Sequence, residues 1–113
     1  MNSKLFHVAA VFCCAIFPAA SALAQNPSAG RNLAASCFTC HGTDGNSVQN
    51  VPPSLAGRSS AELFQILKDF QSGKRAATIM HQQARGYSDA QLQAITAYFA
   101  SVKPQPPHLP AKP

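Results

Sequence analysis

Two thiols separated by two residues and followed at once by an imidazole make Cys37-Phe38-Thr39-Cys40-His41 the stretch of this chain richest in chemistry. Thiols at that spacing lie on neighbouring positions of one turn. They can add across the two vinyl groups of a porphyrin while His41 comes under the iron, which is the haem c attachment pattern. A thioredoxin-like dithiol would need a surrounding βαβ pattern. A zinc site would need a second pair of thiolates or a closing pair of histidines. Neither is present after residue 24, so the motif implies one covalently bound haem c.

A haem held by His41 has a sixth position to fill. Beyond residue 24 the candidates are Met80, His81 and His108, and Met80 is the only methionine there. It lies in Ala77-Thr78-Ile79-Met80-His81-Gln82, a polar stretch without helical periodicity, where a methionine serving only as core filling is less expected. Met80 is therefore the expected distal ligand. In an extended stretch His81 would point the opposite way, and His108 sits among prolines. On the proximal side, Pro52-Pro53-Ser54-Leu55 follows the motif by about a dozen residues. A rigid proline segment can aim a backbone carbonyl at His41 Nδ1, which orients the ring and raises its basicity.

Three helices can be read around these residues. The first follows Pro27 and Ser28, sets Gly30, Leu33, Ala34 and Cys37 on one face, and ends at the cysteine motif. The second starts at Ser59 or Ser60, where Ser59 and Glu62 have capping-box spacing. It aligns Leu63, Phe64, Ile66, Leu67 and Phe70, and stops at Gly73. The third starts at Ser88, with Gln91 three residues on, and aligns Leu92, Ile95, Phe99 and Val102 until Lys103-Pro104 ends it. The segments from Gly42 to Gly57 and from Lys74 to Gly86 read as loops, and no strand pattern is convincing. The expected fold is all-α, with helices wrapped around one haem.

The 113 residues leave room for one small domain. Residues 1–24 read as an export leader, with Lys4 at the start, an apolar run from Val8 to Phe17, and Ala22-Leu23-Ala24 before the cleavage point. The run is interrupted by Pro18 and falls short of the roughly 20 apolar residues that span a bilayer. Residues 25–103 would then form the domain, in the periplasm, and 104–113 an extended, proline-rich, solvated tail. A domain this small has little interior of its own, and a bond between Cys37 and Cys40 would close almost no loop. A large apolar ring would supply the missing core. The formal net charge of +5 suits an acidic protein partner. Scattered charges and export make nucleic acid an unsuitable one.

The ordered set of motif, Pro53-x-Leu55-x-Gly57, later methionine and aromatic C-terminal helix resembles the class I cytochromes c. Gly42-Thr43-Asp44-Gly45-Asn46-Ser47, Pro53-Ser54-Leu55-Ala56-Gly57, and Gly73 to Gln82 followed by Gly86-Tyr87-Ser88-Asp89 are similar to the cytochrome subunits of flavocytochrome c sulfide dehydrogenases. The resemblance implies thioethers at Cys37 and Cys40, iron ligation by His41 and Met80, and acceptance by the Pro53 carbonyl from His41. It also implies a close crossing of the first and last helices at Gly30, against Tyr98 or Phe99. The implied function is single-electron transfer, with a flavoprotein subunit as redox partner and no enzymatic step on the chain itself. Two other roles stay open at this level: a free shuttle to an oxidase or reductase, and a peroxidase or gas sensor whose sixth site opens. Lys74, Arg75 and Arg85 flank the Met80 segment and would rim the cofactor on the partner side.

Overall fold

The computed structural model describes residues 27–106. Four α-helices follow one another: α1 (Pro27–His41), α2 (Ser60–Ser72), α3 (Met80–Arg85) and α4 (Asp89–Ser101), with a 3-10 turn at Thr43–Gly45 after α1. No strand occurs among the described residues. The expected leader and the end of the tail lie outside them.

Local chemistry sets the helix boundaries. Glu62 N–H donates to Ser59 Oγ at 3.4 Å to start α2, while the Glu62 carboxylate turns to Arg58 rather than completing the capping box. Gly73 ends α2 in the left-handed region at φ 77°, which costs a residue without Cβ little. At α4 the capping box is complete: Gln91 N–H donates to Ser88 Oγ, and Ser88 N–H to Gln91 Oε1. Each of these three features was expected at its position.

α3 was not. The stretch read as non-helical because it has no apolar stripe and no capping side chain at Ile79. The helix forms through tertiary contacts: Ala84 is buried, and Gln71 on α2 donates to carbonyls at its C-terminal end.

The core lies where α1, α2 and α4 meet, around Ala34, Leu63, Leu92, Ile95 and Phe99. α1 and α4 cross closely at Gly30, where a Cβ would come within 2.7 Å of the Ala94 carbonyl and 3.1 Å of Tyr98 Cβ. Of the two aromatics expected there, Tyr98 is the one met. Its hydroxyl donates to Asp44 Oδ1 at 2.5 Å, and Arg31 Nε donates to the same oxygen at 3.1 Å. Burial, with the adjacent carboxylate second, pushes the Tyr98 hydroxyl pKa up. This triad ties α1, the 3-10 turn and α4 together. The start of the tail is tied down as well, since Gln105 N–H donates to Asn46 Oδ1 at 2.7 Å.

Candidate haem site

α1 carries the whole cysteine motif in its last turns, so Cys37, Cys40 and His41 share the wall of one cavity of about 370 Å³. Leu63, Ile66, Leu67 and Phe70 of α2 form another wall, and Leu92, Ile95 and Phe99 of α4 close the back. These helices bury apolar faces because water is excluded from them, and the cavity inherits that lining. Its volume falls within the roughly 300–1,000 Å³ of small-molecule and cofactor sites.

His41 is buried, and its Nδ1 lies 2.7 Å from the Pro53 carbonyl oxygen. A carbonyl can only accept, so Nδ1 carries a proton, which leaves Nε2 as the ring nitrogen able to serve as a metal ligand. Cys37 is half-buried and Cys40 exposed; burial pushes the Cys37 thiol pKa up. Met80 lines the same cavity from the first position of α3. His81, its neighbour, is not among the lining residues, and His108 lies outside the described residues. Among the described residues, no three His, Cys, Asp or Glu side chains converge to hold a metal ion by themselves, so the zinc alternative lacks a ligand set there.

Two features of the site were not anticipated. Arg58 and Arg75 both reach the cavity, and of the two the sequence singles out only Arg75, as a partner-facing charge. Gln71 bonds to the segment that follows Met80, through a contact that no spacing rule encodes.

Two thiols and an imidazole face an apolar, cofactor-sized space, an arrangement that fits a haem bonded to the polypeptide and so defines a c-type haem protein. The chain belongs to the cytochrome c family, whose model (Cytochrome c) matches residues 27–103. It is 41% identical over 75 residues to the cytochrome subunit of sulfide dehydrogenase from Chlorobaculum tepidum, covering 66% of this chain and 67% of that protein. It is 35% identical over 81 residues to cytochrome c-554(548) of Halomonas halodenitrificans, covering 69% of this chain and 98% of that one. A solved cytochrome c4 from Acidithiobacillus ferrooxidans superposes with a TM-score of 0.56 at 36% identity, over 59% of this chain and 38% of its own. The chain is thus an all-α, class I cytochrome c that carries covalent haem c and transfers electrons. None of its described helices is long and apolar enough to cross a membrane.

Proposed function

We propose that this cytochrome is a periplasmic single-electron carrier with haem attached through Cys37 and Cys40 and iron ligated by His41 and Met80. Its electron donor would be a flavoprotein that oxidises sulfide. The observation carrying the ligand assignment is that His41, with its Nδ1 proton committed to Pro53, and Met80 line one cavity. The relative from Chlorobaculum tepidum, by its name the cytochrome subunit of a sulfide dehydrogenase, supports sulfide oxidation as the source of electrons; the motif resemblance supports a flavoprotein as the donor, and the leader read over residues 1–24 supports the compartment.

The bound haem supplies a one-electron ferric/ferrous couple. The side chains around it determine how that couple behaves. Cys37 and Cys40 hold the ring by two covalent bonds, so it cannot dissociate between partners. Pro53 fixes the His41 ring and strengthens it as a donor. The Met80 thioether is a weak donor, and the apolar lining disfavours the extra charge of the ferric state. Together they raise the potential above that of a bis-histidine site. With His41 and Met80 both committed to the iron, no position would be left for substrate.

A redox titration of the holoprotein tests this role. The absorbance should follow a one-electron Nernst curve of about 59 mV per decade, and the ferrous form should show no carbon monoxide spectrum. A prompt carbon monoxide spectrum would mean an open sixth site and would favour the sensor or peroxidase role.

The partner face follows from charge. All four acidic residues are committed to ion pairs: Asp44 with Arg31, Glu62 with Arg58, Asp89 with Lys68, and Asp69 with Lys74 at 3.8 Å. Arg75 lines the cavity, its guanidinium stacked 5.5 Å from the Phe70 ring centroid, and Ile79 beside Met80 is 53% exposed. An acidic partner would meet an apolar spot beside unopposed positive charge. Reversing Lys74 and Arg75 together to Glu should slow reduction by the flavoprotein several-fold at low salt and leave the haem spectrum unchanged. The difference should shrink near 0.15 M salt, where screening acts beyond about 8 Å. Stopped-flow rates equal to those of the parent would move the docking face elsewhere and favour a free shuttle.

A further inference from the structure

Met80 heads a helix of six residues, well short of the roughly 12–15 that hold a helix in water. No side chain caps its first turn: Ile79, the residue before it, is exposed and accepts only backbone N–H groups, from Gln82 at 2.9 Å and Gln83 at 3.2 Å. Its other end is secured. Ala84 is buried there, and Gln71 of α2 donates from one nitrogen, Nε2, to the Ala84 carbonyl and the Tyr87 carbonyl, both at 2.9 Å. A side-chain amide nitrogen has two hydrogens, so both donors are used. The Ala84 carbonyl closes the last turn of α3 and also accepts Tyr87 N–H at 3.3 Å, while the Tyr87 carbonyl lies two residues beyond the helix, in the link to α4. Tyr87 continues the tie to α1, its hydroxyl 2.6 Å from Ser36 Oγ. Gln71 itself is not among the cavity-lining residues.

We infer that Gln71 is a positioning residue: its amide clamps the C-terminal end of α3 to α2 and thereby sets how firmly Met80 is presented to the cavity. This rests on Met80 being the distal ligand. Without the amide, the part-buried Tyr87 carbonyl loses this donor and the Ala84 carbonyl keeps only backbone ones, so this link between α2 and α3 is cut and water gains access by α3 moving outward. The state with Met80 withdrawn then gains population. Imidazole binds only that state, so its apparent dissociation constant is its intrinsic value divided by the open fraction.

The test is imidazole titration of the full-length ferric holoprotein in four forms: parent, Gln71→Met, Met80→Ala and the double variant. Gln71→Glu, matched in size but with an acceptor in place of the donating nitrogen, gives the same readout if Gln71→Met does not fold. Removing the clamp should tighten apparent imidazole binding by roughly tenfold, the usual scale for unsatisfied part-buried polar groups, and should weaken the sulfur-to-iron absorption band. It should add nothing in the Met80→Ala background, where there is no ligand left to present. A Gln71→Met protein that binds imidazole like the parent, while Met80→Ala binds it far more tightly, would overturn the clamp and leave the ligand assignment standing. Equal tightening in both backgrounds would also overturn it, as general loosening of the fold. Parent-like imidazole binding by Met80→Ala would overturn both readings at once.

Discussion

Replacing Met80 with alanine should abolish the weak ferric absorption band near the red end of the spectrum that marks sulfur-to-iron charge transfer. Among the described residues the methionine is the one thioether that lines the cavity, and His81 beside it is not among the lining residues. Losing a ligand that favours ferrous iron should lower the reduction potential by on the order of 100 mV, a modest part of the roughly 0.8 V over which axial ligands tune haem. A band that persists in Met80→Ala would mean that another residue ligates the iron, and an unchanged potential would say the same by an independent route.

A second large effect is expected at the thiols. In Cys37→Ser/Cys40→Ser no thioether can form, so acid-acetone extraction should strip all haem, whereas the parent should keep the mass of one. The consequence for the fold can be sized from the cavity. At about 24 cal/mol per Å³ of unfilled interior, the cavity of about 370 Å³ corresponds to a loss of roughly 9 kcal/mol if left empty. This is an upper figure because the mouth admits water, yet it is comparable with the whole stability of a small domain, about 5–15 kcal/mol. The double variant should therefore lose much of its helical circular dichroism once extracted. A parent protein whose mass lacks one haem after maturation would sink the attachment assignment, and a fully helical, haem-free double variant would show that the helices do not need the cofactor as core.

The contrast between α4 and α3 shows what could be read in advance. α4 announces itself through Ser88, Gln91 and a run of buried apolar positions, signals that lie within the segment and act over three or four residues. α3 has none of these. Its helix depends on Ala84 finding the core and on Gln71, which lies on another element and bonds across 13 and 16 positions of sequence. The site divides in the same way. The cysteine motif and the candidate methionine could be read from residue type and spacing, and the Pro53 carbonyl at His41 through family likeness. Tyr98 and Arg31, which share Asp44, could not be found by spacing, because Asp44 takes a left-handed φ of 53° that sends its carboxylate to two helices. Lys74 likewise reads as a free charge until its distance to Asp69 is seen.

The close crossing at Gly30 joins the first and last helices of the chain, and this has a consequence for how the sequence can change in length. Lengthening a connection that closes a loop is cheap, about 0.6 kcal/mol for each doubling, so insertions and deletions are tolerable between α1 and α2 or after Gly73. One residue gained or lost inside α1 between Gly30 and Cys37 is different: it advances the helix by 1.5 Å and turns it by about 100°. With Gly30 pinned against Ala94, that rotation would carry both thiols and the imidazole off the cavity wall together. Length variation among descendants of this chain should therefore collect in its middle, while the spacing from Gly30 to His41 stays fixed.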